Sequence, residues 1–241
     1  MTASLAAFTA GDYACDVGDD NRHVSLEPDP VIEVYKRDID RTLLRRNLQK
    51  TVEQRFIDAM QLQRWADELR RAGESSESEG EQMTDFAALL RVLVSGGVEF
   101  ILVGGAAAVA HGSSRLTQDL DVVYRRTPEN VRRLTAALAP HAPYLRGAPE
   151  GLPFHFDEAT VRRGLNFTLT TSLGDLDVLG EIVGGGGFEQ LAPDAIPLEV
   201  FGVQCLCLDL EQLIRVKRAA GRPKDLEAIA ELEALLEERQ R

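Results

Sequence analysis

The chain has 241 residues, of which 44% are apolar and 27% charged, and its formal net charge is -12. This length suits one substantial domain with an appendage, or two small domains. The acidic balance argues against a protein that coats nucleic acid over its whole surface, because such surfaces are usually basic.

The sequence gives no sign of export or of membrane insertion. It contains no apolar run of about 18 residues, and residues 1–11 lack the charged start and apolar stretch of a signal peptide. We therefore expect a cytoplasmic protein with no membrane contact. Cys205 and Cys207 alternate in a strand-like run, which predicts two reduced thiols on one face of a sheet.

Composition divides the chain into four regions. Residues 1–27 are polar and acidic with little periodicity, and we expect them to be disordered. Residues 28–73 carry apolar side chains at helical spacing and form a predicted helical arm. Residues 74–82 are a charged, serine-rich linker. Residues 83–241 form the predicted main domain.

The helical arm has two predicted helices. Asp29 and Pro30 give a start signal for the first, which runs to Leu48. Thr51 with Gln54 resembles a capping box at the start of the second, which ends at Gly73. Two such helices cannot bury their apolar sides alone. We therefore expect the arm to pack on the main domain, in its own chain or in a second copy.

The main domain alternates predicted helices and strands. The helices are expected over 83–97, 106–111, 127–138, 209–220 and onward from Pro223. The strands are expected over 98–103, 120–124, 165–171, 176–179, 196–201 and 203–208. This order predicts an α+β fold with a mixed central β-sheet flanked by helices.

One constellation decides the functional interpretation. Gly104 and Gly105 end an apolar strand, and Asp119 and Asp121 follow after thirteen intervening residues. Strand residues two apart point to the same side, so the two carboxylates project together. At an effective dielectric of about 20, two charges about 4 Å apart repel by about 4 kcal/mol. A divalent cation removes this repulsion, and ligands that are all oxygen favour magnesium.

The glycine pair itself predicts a phosphate site. A strand that ends in Gly104-Gly105 and enters a helix exposes backbone N–H groups and the positive end of the helix dipole. We therefore expect a phosphate cradle beside the paired aspartates.

This motif resembles the signature of the polymerase β-type nucleotidyltransferase superfamily. That signature is an apolar residue, Gly, Gly or Ser, nine to thirteen residues, and then Asp-apolar-Asp/Glu-apolar. Residues 103–105 and 119–122 fill every slot. Gly105 stands where many members carry serine, so a hydroxyl contact to the terminal phosphates would be absent. The resemblance implies the nucleotidyltransferase fold and transfer of a nucleotide from an NTP substrate.

The superfamily also uses a third carboxylate from a neighbouring strand, for which Asp175 and Asp177 are candidates. Asp177 is favoured because apolar residues flank it, whereas Asp175 lies at the expected turn. The resemblance then implies that Asp119, Asp121 and Asp177 are the catalytic residues and hold two Mg²⁺ ions. An acceptor hydroxyl attacks the α-phosphorus in line, and pyrophosphate leaves.

Residues 213–226, with a lysine on one helix and Lys-Asp opening the next, resemble the AbiEii and MenT-type branch of the superfamily. The resemblance implies that Lys217 binds the triphosphate. For Asp225 the sequence leaves a functional role and a helix-capping role open. The segment before the aspartates makes Ser114 and Arg115 candidates for nucleotide binding. For His111 a packing or hydrogen-bonding role is favoured.

The MenT-type branch includes toxins of toxin–antitoxin pairs that add nucleotides to the 3′ end of tRNA, and the arm resembles the small helical proteins encoded beside them. We therefore expect an antitoxin-like segment that restrains a toxin-like enzyme in one chain. An ordinary dimerisation or stabilising arm is the alternative. A homo-oligomer is also a candidate assembly of the chain. Rival functions are AMP transfer to a partner protein, transfer to an antibiotic, and a non-catalytic regulator of the same fold.

Overall fold

The protein is described by a computed structural model that covers residues 28–73, 83–149 and 151–241. The disorder expected for residues 1–27 and the linker expected at 74–82 lie outside the described residues. The helices are α1 Pro30–Lys36, α2 Arg41–Leu48, α3 Val52–Gly73, α4 Phe86–Ser95, α5 Gly104–His111, α6 Pro128–Leu138, α7 Glu158–Arg163, α8 Phe188–Leu191, α9 Leu210–Ala220 and α10 Leu226–Arg239. The strands are β1 Phe100–Leu102, β2 Asp119–Tyr124, β3 Tyr144–Leu145, β4 Asn166–Thr171, β5 Gly174–Leu179, β6 Ala195–Val200 and β7 Val203–Leu208.

The described strands form one seven-stranded sheet in the order β3-β4-β5-β2-β1-β7-β6. β2 pairs in parallel with β5, and β1 with β7, while the other neighbours are antiparallel. Helices pack along this sheet, with α5 against β2, α4 against β7 and α8 against β1. The predicted α+β class with a mixed central sheet is confirmed. None of the described helices combines the length and apolar character that a bilayer span requires.

The prediction of one helix from Pro30 to Leu48 is wrong, because the chain breaks into α1 and α2. The Asp40 carboxylate accepts the N–H groups of Thr42 and Leu43, at 2.9 and 3.3 Å, and so starts a new helix. Three short elements, β3, α7 and α8, were not predicted at all.

The arm, formed by α1, α2 and α3, packs on the main domain of its own chain. Its buried residues Ile32, Leu44 and Phe56 belong to the same continuous core as the sheet and α4. The Phe56 ring lies 5.7 Å from the ring centroid of Phe86 and 5.9 Å from that of Phe201. Burial of this size stabilises by about 2 kcal/mol or more per large side chain.

Ion pairs join the arm to α10. Arg41 contacts Glu237 at 2.7 Å and Glu238 at 3.1 Å, and Arg45 contacts Glu238 at 2.6 Å. Lys36 reaches Glu237 at 2.5 Å. We call these five residues the arm seam. Hydrogen bonds from Arg45 and Arg41 lower the pKa of Glu238 to about 2, so its carboxylate stays charged over the whole neutral range.

The arm also satisfies the C-terminal end of α5. Arg55 donates to the carbonyl oxygen of Ala110 at 2.5 Å, and Asn47 donates to that of Gly112 at 3.4 Å. Carbonyls in the last turn of a helix have no partner within the helix, so such donors stabilise its end.

His111, the last residue of α5, is buried and fully bonded. Its Nε2 lies 2.8 Å from the carbonyl oxygen of Leu208, and the Arg239 guanidinium lies 3.1 Å from its Nδ1. Burial lowers the pKa of His111 to about 4, and the charges of Arg239 and Arg55 act in the same direction. The imidazole is therefore neutral, with Nε2 as donor and Nδ1 as acceptor, and the expected hydrogen-bonding role is confirmed.

Replacing His111 by Gln is expected to change how stability depends on pH. In the wild type the unfolded chain takes up a proton on this residue near pH 6.5 while the folded chain stays neutral to about pH 4. His111 therefore contributes stability above pH 6.5 that is lost as the pH falls toward 4, by about 3 kcal/mol. Urea unfolding at pH 7, 5.5 and 4 should show that the wild type loses free energy of unfolding relative to the variant as the pH falls. Parallel pH curves for the two proteins would contradict the assignment.

Candidate metal and nucleotide site

Four aspartates meet at one end of the sheet because of the register between β2 and β5. Asp119 pairs with Asp175 and Asp121 pairs with Asp177 in the parallel ladder. Residues two apart on a strand share a face, and adjacent strands lie about 4.8 Å apart. The four side chains therefore lie on one face as the corners of a rectangle.

Three of these acids form a group that could hold a metal ion. Carboxylate oxygens of Asp119, Asp121 and Asp177 all lie within 4.8 Å of one another, and each residue is half-buried. A set made of carboxylate oxygens suits Mg²⁺, Mn²⁺ or Ca²⁺. The structure thus brings Asp177, rather than Asp175, together with the pair that the sequence singled out.

Asp175 is occupied by other partners. Its Oδ1 accepts a hydrogen bond from Thr170 at 2.8 Å, and its Oδ2 lies 3.0 Å from Nε of Arg146. Asp175 is thus held at the edge of the cluster, outside the group of three.

The glycine pair lies directly against the acids. α5 begins at Gly104, and the N–H of Gly105 donates to Oδ2 of Asp121 at 3.3 Å. Gly104 has φ +62°, and a Cβ there would collide with the Asp121 carboxylate. A Cβ at Gly105 would collide with the side chain of Thr117. Only glycine allows the helix start to approach the carboxylate this closely, which is the geometry that a phosphate cradle needs.

Arg146 is the member of the site that the sequence analysis missed. Its guanidinium lies 3.3 Å from Asp119, 2.8 Å from Asp177 and 3.0 Å from Asp175. It follows β3, a strand of two residues, and its own N–H donates to the carbonyl oxygen of Thr168 at 3.0 Å. No periodicity or motif marks this position, because the side chain is brought to the acids only by the pairing of β3 with β4.

Electrostatics at the site show a shortage of positive charge. Burial and the negative charges of Asp119 and Asp177 together raise the pKa of Asp121 to about 7. The Gly105 hydrogen bond and the charge of Lys217 oppose this rise. Burial also raises the pKa of Asp177, against the effect of Arg146. A divalent cation among the three carboxylates would relieve the repulsion, so the residues present fit such an ion.

Lys217, on α9, lies close enough to act on the charge of Asp121. Its Nζ lies 3.6 Å from Oδ1 of Asp225, and Nε of Arg222 lies 2.6 Å from Oδ2 of the same carboxylate. Asp225 is buried and makes no side-chain hydrogen bond to the start of α10. Asp225 thus occupies the N-cap position of α10 without a capping hydrogen bond, and its two oxygens face Lys217 and Arg222, so its functional role and its dipole role both stay predictions.

Ser114 and Arg115 contact α10. Both N–H and Oγ of Ser114 donate to Glu231, at 2.7 and 2.8 Å, and Arg115 lies 3.2 Å from Glu227. Their described contacts are with these glutamates rather than with the aspartates. Nucleotide binding by these two residues stays a prediction.

Comparisons with known proteins add no relative to this geometry. No family model matches the chain, and no curated protein matches it. Support for a function therefore comes from the arrangement of Asp119, Asp121, Asp177 and the glycine pair.

Replacing Gly104 by Ala is expected to damage the site far more than the same change at Gly202. Both glycines have positive φ, +62° and +75°, so both substitutions carry about 1–2 kcal/mol of backbone strain. A Cβ at Gly202 meets nothing within 4 Å, whereas a Cβ at Gly104 would collide with Asp121. Thermal unfolding and Mg²⁺ titration should therefore give a larger loss of stability and of cation binding for Gly104→Ala. Equal losses in the two variants would mean that the close approach is unimportant.

Proposed function

We propose that this protein is a metal-dependent nucleotidyltransferase. The observation that carries the proposal is the placement of three carboxylates, Asp119, Asp121 and Asp177, directly against a helix that starts with Gly104 and Gly105. Carboxylates that hold a cation and backbone N–H groups that hold phosphate are the two requirements for binding a nucleoside triphosphate.

Each residue then has a defined task. Asp119, Asp121 and Asp177 would hold the Mg²⁺ ions, of which the superfamily uses two, and the bound metal would neutralise phosphate charge and lower the pKa of the attacking hydroxyl. The N–H groups at the start of α5 bind phosphate oxygens. Lys217, held by Asp225, places a positive charge on the same side as α5 and so stabilises the leaving group.

The reaction forms a bond between the acceptor oxygen and the α-phosphorus of an NTP, and it breaks the bond from that phosphorus to the oxygen of departing pyrophosphate. The hydroxyl proton leaves to solvent as the new ester forms. We propose the 3′ end of tRNA as the acceptor, on the basis of the resemblance of residues 213–226 to the MenT-type branch.

Asp121→Asn is the decisive variant for this proposal. It keeps the shape of the side chain and the acceptor for the Gly105 N–H, but it removes one negative charge from the cation group. Transfer of label from α-³²P-NTP should fall by at least about a hundredfold. Asp58→Asn, which removes an ion pair between Asp58 on α3 and Lys50, is the matched control and should keep full activity.

The assay also identifies the acceptor. Each of the four NTPs is incubated with Mg²⁺ and with tRNA, cell protein or an aminoglycoside, and the labelled product is separated. Label in protein or in the antibiotic would make that molecule the acceptor instead of tRNA, and the protein would still be a nucleotidyltransferase. No NTP-dependent label in any of these incubations, together with no Mg²⁺ binding, would favour the non-catalytic regulator.

The restraint predicted for the arm stays a prediction. The described side-chain contacts of the arm lie on α10, on Phe86 and Phe201, and at the C-terminal end of α5, whereas the glycine pair forms the opposite end of α5. Eight helical residues separate these ends by about 12 Å. These contacts favour an arm that supports the fold.

Weakening the arm seam tests this interpretation. Replacing Arg41 and Arg45 together by Ala should lower the melting temperature by about 2–4 °C, because half-exposed ion pairs contribute up to about 1 kcal/mol. The rate of transfer per folded molecule should not change. Arg132→Ala with Arg162→Ala removes two ion pairs to Glu158 away from the arm and serves as the matched control. A rise in transfer rate only in the arm-seam variant would instead establish restraint.

A further inference from the structure

One guanidinium holds three of the four aspartates at the site. Arg146 contacts Asp119 and Asp177, which belong to the group that could hold a cation, and Asp175, which does not. A single positive charge therefore occupies carboxylates that the cation also requires.

The contacts of Arg146 with these acids leave one of its donors without a hydrogen bond. Its buried Nε makes no hydrogen bond, although Asp175 Oδ2 lies 3.0 Å away. Its Nη1 contact with Asp119 is long, at 3.3 Å. A guanidinium forms its strongest pairs through two parallel N–H···O bonds to one carboxylate, and the geometry here spreads its donors over three carboxylates and the carbonyl oxygen of Leu169, which lies 3.4 Å from Nη2. These contacts neutralise charge but give Arg146 no bidentate pair.

Asp175 offers Arg146 a partner that a cation would leave free. Thr170 already fixes Oδ1 of Asp175, so Oδ2 faces the guanidinium. The backbone of Arg146 is held by Thr168. The side chain can thus leave Asp119 and Asp177 while its backbone and its pairing with Asp175 stay in place.

We propose that Arg146 is a built-in counter-ion that competes with the divalent cation for Asp119 and Asp177 and withdraws to Asp175 when the cation binds. This inference rests on the proposed function only in that a divalent cation binds the three carboxylates. Its consequence is that the metal-free site stays assembled, while the cation must displace one charge before it binds. Arg146 is in this sense a positioning residue that sets the cation concentration at which the site fills.

Manganese binding tests the proposal without any assay of turnover. Mn²⁺ takes the same oxygen ligands as Mg²⁺ and is followed directly by electron paramagnetic resonance at pH 8 and fixed ionic strength. Arg146→Gln is expected to bind Mn²⁺ about tenfold more tightly than wild type, because a competing charge is removed. Arg133→Gln, which changes the net charge equally but pairs with Glu129 on α6, should bind as wild type does.

Arg146→Lys keeps the charge and guards against a folding defect in Arg146→Gln. A lysine side chain is shorter and lacks the guanidinium fork, so it matches these three carboxylates less well, and this variant should bind Mn²⁺ more tightly than wild type but less tightly than Arg146→Gln. The double variant Arg146→Gln with Asp175→Asn should bind no more than about threefold more weakly than Arg146→Gln alone, because Asp175 is then a neighbouring charge and not a ligand. Asp121→Asn should abolish binding in every background, which locates the ion at this site.

The outcomes separate this proposal from the proposed function. Equal or weaker Mn²⁺ binding by Arg146→Gln and Arg146→Lys, with normal binding by the wild type, overturns the competition and leaves the proposed function standing. A much larger loss of binding in the double variant than this would make Asp175 a ligand and overturn its role as the partner to which Arg146 withdraws. Absence of Mn²⁺ binding by wild type and by both variants overturns this proposal and the proposed function together.

Discussion

Repulsion among four carboxylates is the constraint on which the rest of the site depends. The parallel register of β2 and β5 sets Asp119 beside Asp175 and Asp121 beside Asp177, and this register cannot slip by one residue without turning the buried residues of β2 and β5 outward. The core thus fixes the acids in place regardless of their charge. Arg146 neutralises one of the four negative charges, and the repulsion that remains contributes to the raised pKa of Asp121.

α5 links this site to the arm. Its first residue, Gly104, meets Asp121, and the carbonyl oxygens at its far end are satisfied by Arg55 and Asn47 from the arm. A helix of eight residues is too short to be stable alone, so it depends on contacts at its ends and along its sides. The arm therefore helps to position α5 and its glycine pair, although none of its described hydrogen bonds or ion pairs reaches Gly104 or Gly105.

Local patterns predicted the parts of this molecule that local chemistry determines. The alternation of Asp119 and Asp121, the glycine pair and the apolar neighbours of Asp177 are short-range signals, and the structure brings those residues together. Arg146 was missed because its place depends on the pairing of β4 with β3, a strand of two residues that has no pattern of its own. Asp40 divides the first helix by capping, although the apolar spacing continues across the break. The spacing of apolar residues therefore shows neither where a cap divides a helix nor which distant strands pair.

The charges around the cluster give it two unlike sides. Lys217 and the start of α5 lie on one side of Asp121, and Arg146 lies on the other side of the cluster, beside β4. Because Arg222 shares the Asp225 carboxylate, Lys217 is only partly neutralised and still acts on Asp121. On the function proposed above, a triphosphate would bind on the α5 side, near the N–H donors and the Lys217 ammonium. The acceptor would then approach from the side of Arg146, and a guanidinium that withdraws from Asp119 and Asp177 would open the path of its attacking hydroxyl.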